Sequence, residues 1–230
     1  MKNEENKEEV KTNPGSRYRK VENKKHKTGI TIKRFILIVL LVILILGLII
    51  AFRWKILSNI QENYNKTTLL DNWYYYSETD STIMKVYRKG SIWKMNTRQK
   101  NGDGNLTFWK DLSTGEAYIF YEEPIKKYTE DKGGMVIDLP SSGIYTQEER
   151  TRVLMAATPT LWIGTANYNG IDSYIIEIGG HREYIDKQTG LLLATFEDNM
   201  PVRVVEYEIG SVFDSDVEKP DVSEYEYLEQ

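Results

Sequence analysis

His181 and Asp186 are the residues whose types come nearest to catalytic chemistry, an imidazole at the start of the predicted strand His181-Arg182-Glu183-Tyr184 and a carboxylate in the turn that follows it. A zinc site needs three or four convergent ligands, usually including several His or Cys. This chain has two histidines and no cysteine, so His181 reads as a solvent-facing hairpin residue and no metal or other cofactor is expected. Asn101, Asp103 and Asn105 imitate the first alternating ligands of a calcium loop. The position that requires Gly is Leu106, however, and the place of the bidentate Glu is Leu112. Ser113, Ser141, Ser142 and Ser173 lack a Gly-x-Ser-x-Gly context, and no Walker loop or Gly-x-Gly-x-x-Gly precedes a helix. Carboxylate pairs such as Glu122 with Glu123 and Asp214 with Asp216 follow from acidic composition alone. No enzyme is expected.

Aromatic side chains offer a different chemistry. Phe, Trp and Tyr make up 12% of the chain, and Asn72-Trp73-Tyr74-Tyr75-Tyr76 puts rings on both faces of one strand. Two readings stay open: ordinary core packing, and a concave apolar face that leaves a lipid-sized cavity. On the second reading the lining is Met84, Trp93, Met95, Phe108, Tyr118, Phe120 and Phe196, with polarizable Met and flat rings suited to irregular acyl shapes.

An element that must hold such a site in place is the apolar run Phe35–Phe52, 18 residues with no charge. At helical rise it spans roughly 27 Å, close to the hydrocarbon thickness of a bilayer. Arg34 and Arg53 bracket it, and Trp54 stands where an interfacial aromatic would. Residues 1–34 hold eleven Lys/Arg against five Glu, whereas the remainder has 19 basic and 29 acidic residues. The positive-inside bias therefore predicts a cytoplasmic N-terminus and an extracytoplasmic C-terminal part at the cell membrane. The lipid bilayer is the first expected partner, and the acidic balance argues against nucleic acid.

The expected organisation is a disordered basic tail (1–34), a transmembrane helix (35–53) and a helical stalk (54–71) with Ile56, Ile60 and Tyr64 at spacings of four. An exported domain (72–212) and an acidic C-terminal tail (213–230) complete it. Within the exported domain, period-two alternation recurs. Met84 and Val86 oppose Lys85 and Tyr87, Trp93 and Met95 oppose Lys94 and Asn96, and Leu192, Ala194 and Phe196 oppose Thr195 and Glu197. Short links such as Arg88-Lys89-Gly90 and Gly179-Gly180 demand antiparallel neighbours. The pattern aromatic-x-Asp-x-x-Thr-Gly occurs twice, from Trp109 to Gly115 and from Tyr184 to Gly190. An Asp beside a Thr suits a phosphate or metal, but the pattern reads better as a hairpin turn. One helix interrupts the strands, opened by the capping box Thr146–Glu149, striped by Val153, Leu154 and Ala157, and stopped at Thr158-Pro159.

The succession Val86-Tyr87-Arg88-Lys89-Gly90, Trp109-Lys110-Asp111 and Gly115-Glu116-Ala117-Tyr118 is similar to the opening strands of the periplasmic lipoprotein-carrier superfamily (LolA-like). Arg182 through Leu192, leading to Val205-Glu206-Tyr207, looks like its later strands. The resemblance covers about Asn72 to Ile209 and implies an open half-barrel with a helix inside. Family members are diffusing or lipid-tethered carriers, whereas a membrane helix and the lack of Cys make ferrying across a gap unsuitable here. The expected class is α+β: a single transmembrane helix, then an antiparallel, strongly curved sheet with one main helix on its concave face. The expected function is binding or sensing an apolar ligand, lipid or acyl, at the cell envelope. The alternative is an interaction or regulatory module without a small ligand, meeting an envelope protein partner through its Tyr residues and acidic end.

Overall fold

The structure is a computed structural model, and it describes residues 25–102, 104–122, 125–132, 139–141 and 149–229. The predicted disordered tail up to residue 24, Asp103, Glu123 and the capping-box residue Thr146 lie outside the described residues. The chain divides into two compact units, Met1–Leu48 and Ile49–Gln230.

Helix α1 (Lys25–Thr68) is an unbroken rod of 44 residues. In the first unit every residue from Phe35 to Leu48 is exposed, and the helix is long and apolar enough to cross a membrane. A rod that is apolar all round and left uncovered suits lipid surroundings.

In the second unit, α1 continues past the apolar run and changes character, because polar residues now alternate with Ile56, Leu57 and Ile60. These three are buried, with Leu57 and Ile60 at 0% exposure. Each such side chain contributes about 1.5–3 kcal/mol by leaving water. The segment expected as a stalk is thus part of the folded core.

Among the described residues, eleven antiparallel strands build the sheet. They are β1 (Asn72–Thr79), β2 (Thr82–Lys89), β3 (Ile92–Gln99), β4 (Asn105–Asp111), β5 (Ala117–Tyr121) and β6 (Lys127–Glu130) before helix α2 (Glu149–Ala157). After it come β7 (Trp162–Tyr168), β8 (Ile171–Ile178), β9 (His181–Asp186), β10 (Leu192–Glu197) and β11 (Met200–Ile209). A short twelfth strand, β12 (Glu226–Tyr227), pairs parallel with β6. The order β12-β6-β5-β4-β3-β2-β1-β11-β10-β9-β8-β7 is two meanders joined where β1 pairs β11, open at both edges. The α+β class and the dominant antiparallel pairing agree with the expectation from short links.

Both Asp-x-x-Thr-Gly segments are hairpin turns of the same construction. Gly115 donates its N–H to the Asp111 carbonyl (2.8 Å), and Gly190 donates to that of Asp186 (2.9 Å). Each Asp carboxylate accepts the N–H two residues on, from Ser113 (2.8 Å) and Gln188 (2.9 Å). Gly115 and Gly190 supply positive φ values of 78° and 71°.

Two readings of the sequence need correction. On α2 the buried residue is Ala156, while Val153 and Leu154 are 47% and 63% exposed. The contact face is fixed by Arg53, whose Nη1 donates to the carbonyl oxygens of Ala156 (3.3 Å) and Thr158 (2.9 Å), placing a cation on the helix C-terminus. On β10 the register against β9 shifts between Leu192 and Ala194. That bulge inserts Leu193, so Ala194 and Phe196 face away from the side that Leu192 joins.

The core has two parts. Ile56, Leu57 and Ile60 pack with Ala156, Leu161, Ile163, Ile176, Ile185 and Leu192. Trp73, Tyr75, Val86, Leu139 and Leu191 form the second cluster, against which Tyr64 of α1 and Tyr207 pack. The C-terminal segment, expected as an acidic tail, lies on its own sheet: Trp109 Nε1 donates to the Val217 carbonyl (2.9 Å), and Val217 is 3% exposed.

Candidate functional site

Antiparallel register decides which candidate residues can meet, because directly opposed residues share a face. Tyr207, Tyr75, Val86, Met95, Phe108 and Ile119 form one row across β11, β1, β2, β3, β4 and β5. Met84, Trp93, Met95 and Phe108 therefore converge, and all four pack as partly buried side chains against the Trp73 cluster. The row beside it is Trp73, Arg88 and Trp93, each opposite the next.

Tyr118 and Phe120 do not belong with them. Trp109 opposes Tyr118 and Thr107 opposes Phe120, which puts both rings on the other face. There Phe120 meets Tyr225 of the C-terminal segment edge-on at 5.0 Å and stacks with Tyr128 at 6.0 Å. Tyr225 donates its hydroxyl to both Glu122 carboxylate oxygens (2.9 and 3.0 Å). Phe196 stands apart from both groups, edge-on to Tyr184 at 5.4 Å and Tyr168 at 6.3 Å. Alternation counted within single strands could not assign these faces; strand pairing and the β10 bulge do.

The convergent group carries a polar feature that sequence reading missed. Trp73 Nε1, Arg88 Nε and Trp93 Nε1 are buried donors with no hydrogen-bond partner among the described residues. Leaving a buried donor unsatisfied costs about 1–3 kcal/mol, so three in one row form a place suited to an acceptor. The Arg88 guanidinium lies 4.9 Å from the Trp93 ring centroid, and its Nη1 donates to the Thr68 carbonyl at the end of α1 (3.1 Å). Burial pulls its pKa down, opposed by Asp71. Trp73 and Trp93 meet edge-to-face at 5.2 Å, which fixes both indoles. The signal in the sequence was Arg88 itself, a charge on the face that Met84 and Val86 make apolar.

The other candidates make local contacts. His181 places Nε2 3.3 Å from Glu183 Oε1 and Nδ1 3.6 Å from Glu197 Oε1. Among the described residues no group of three His, Asp or Glu could hold a metal ion. Asp186 is 4% exposed and accepts from Thr189 Oγ1 (2.7 Å) and from the Tyr207 hydroxyl. Burial, and then the bond to Asp186, raise the Tyr207 pKa. This network joins the β9–β10 turn to β11.

No protein-family model and no curated protein matches the chain. Among solved structures, one titled "Structure of PNGF-II in P21 space group" aligns with a TM-score of 0.30 at 10% identity, covering 69% of this chain and 32% of that one. A second, "Structure of PNGF-II in C2 space group", gives 0.29 at 10% identity, covering 69% and 30%. The chain thus spans about a third of the length of those chains.

Proposed function

We propose that this chain is a single-pass, membrane-anchored extracytoplasmic module that binds an amphiphile: an acyl chain with a hydrogen-bond-accepting head. The observation that carries the reading is the row of unpartnered donors at Trp73, Arg88 and Trp93 beside the partly buried Met84, Met95 and Phe108. The apolar side chains suit the acyl part, and the guanidinium with two indoles suits a carboxylate or phosphate head. The orientation, N-terminus in the cytoplasm, rests on the eleven basic residues before the span. A strongly curved sheet and kinship with the lipoprotein-carrier superfamily belong to the same proposal, with the packed helix being α1, through Leu57 and Ile60, in place of the helix expected after Thr146.

The test is photolabelling of the full chain in phosphatidylcholine nanodiscs with a photoactivatable fatty acid, mapped by peptide mass spectrometry. Labels are expected on residues 82–99 and 105–111, competed by unlabelled fatty acid. Arg88→Gln should reduce that labelling about tenfold, the worth of one charge-assisted hydrogen bond. Labels confined to residues 35–52 would overturn the proposal.

A further inference from the structure

The opposite face of the same sheet carries a second feature, independent of the amphiphile reading. Row by row across β1 to β4, Tyr76 opposes Lys85, Lys85 opposes Asn96, and Asn96 opposes Thr107. One step along, Arg98 opposes Ile83 and Asn105. These side chains line a cleft of about 760 Å³, with Lys94, Lys126 and Glu122 on its sides and Pro220 of the C-terminal segment as a wall. That volume lies within the range of small-molecule sites, about 300–1,000 Å³.

The charges in this cleft are not those of the surrounding domain, which has 19 basic and 29 acidic residues beyond residue 34. Lys85 and Arg98 line the cleft at exposed positions, with no carboxylate paired to either among the described residues. Lys94 is half-buried, and burial lowers its pKa, opposed by the nearby carboxylates of Glu218, Asp216 and Glu122, which favour its charge. Its ammonium donates to the Glu218 carbonyl at 3.0 Å. Lys126 is paired with Glu224 (2.8 Å). Glu122 is occupied by Tyr225 and by the Thr107 hydroxyl (3.3 Å). Two cations without an ion-pair partner among the described residues, Lys85 and Arg98, thus share the cleft with Lys94, with the Glu122 carboxylate, and with groups that can donate and accept: Asn96, Asn105 and Thr107.

We propose that this cleft binds a small phosphorylated polyol, with Lys85, Lys94 and Arg98 on the phosphate and Asn96, Asn105 and Thr107 on its hydroxyls. Lys acts as a point charge toward phosphate, and Arg adds a planar fork. A long polyanion is disfavoured, because Glu206, which opposes Tyr76 at the end of the row, repels it. The same chemistry has two sources: a free phosphorylated polyol and the polar head of a glycerophospholipid.

The experiment is calorimetric titration of the full chain, in phosphatidylcholine nanodiscs, with glycerol phosphate and, separately, with glycerol. Glycerol phosphate should bind, and its affinity should fall as salt rises. The double variant Lys85→Gln/Arg98→Gln, at exposed positions outside the core, should weaken it at least about tenfold. Arg203→Gln, an exposed cation elsewhere on the sheet, should leave it unchanged. A repeat with phosphatidylglycerol in the nanodisc separates the sources: competition with glycerol phosphate identifies the lipid head, and its lack identifies the free solute. The proposal is overturned if glycerol phosphate gives no heat of binding, if the double variant binds as well as the parent, or if glycerol binds equally.

Discussion

Gly190 sits so close to α1 that a Cβ placed on it would lie 2.5 Å from the Ile60 carbonyl oxygen and 2.5 Å from the Tyr64 backbone nitrogen. The helix that begins as an apolar rod ends by pressing its backbone onto the β9–β10 turn. Asn63 Nδ2 donates to the Lys187 carbonyl (2.7 Å), and Thr67 Oγ1 reaches that of Thr189 (2.9 Å). The twin turn at Gly115 has nothing within 4 Å of its would-be Cβ. One sequence motif therefore makes two turns, and only one of them is a helix seat.

The twin turns yield a matched pair of substitutions. Gly115→Ala meets only the left-handed backbone cost, about 1–2 kcal/mol. Gly190→Ala meets that cost plus a backbone clash that no side-chain rotation relieves, so it should lose clearly more stability. Chemical denaturation of the full chain in detergent, followed by tryptophan fluorescence, compares the two. Equal losses would show that α1 does not seat on this turn.

Leu57→Ala should destabilise the second unit by about 2–5 kcal/mol, since Leu57 is fully buried among Ile163, Ile176 and Ile185. Leu44→Ala, at an exposed position of the apolar rod, should leave that unfolding transition in place. A fragment starting at Asn72 lacks Ile56, Leu57 and Ile60 and is expected to fold poorly, whereas one starting at Ile49 keeps them. Circular dichroism and cooperative melting distinguish the fragments.

Alkaline pH should weaken the seat of the C-terminal segment. Burial, and then the bond to Glu122, push the Tyr225 pKa up to about 12, against about 10 in an unfolded chain. The unfolded state releases its proton first, so this contribution is fully present below about pH 10 and is lost as pH rises toward 12. Tyr225→Phe should flatten the decline of stability between these limits. A variant as steep as the parent would remove Tyr225 from the explanation.

Tyr207→Phe deletes the hydroxyl shared by Asp186 and Thr189 (3.0 Å to Thr189 Oγ1). The buried Asp186 carboxylate then loses a donor, at a cost of about 1–3 kcal/mol. Hydrogen exchange should quicken at Gln188 and Gly190, whose N–H groups close the turn. Unchanged exchange there would mean that the turn holds itself without β11.

Much of this architecture was legible in the residues. The apolar run predicted the exposed rod, period-two alternation predicted strands, and Asp-x-x-Thr-Gly predicted both hairpins, because each is governed by neighbours close in sequence. The same local rule put Met84 with Val86 and Trp93 with Met95 on one face of their own strands, and register then brought them and Phe108 together. Tyr118, Phe120 and Phe196 escaped it, since their faces depend on register against β4 and on the Leu193 bulge in β10.

What the amino-acid order determined by itself was therefore local: an uncharged run long and apolar enough to cross a membrane as a helix, alternating strands, and glycines where φ must turn positive. Tertiary structure alone decided that Leu57 and Ile60 belong to the core, that the acidic end covers Trp109, and that three donor groups from β1, β2 and β3 stand in one unsatisfied row. Those outcomes depend on contacts between residues far apart in the chain. Their energies come from burial and register, and neither quantity is encoded in the spacing of one segment.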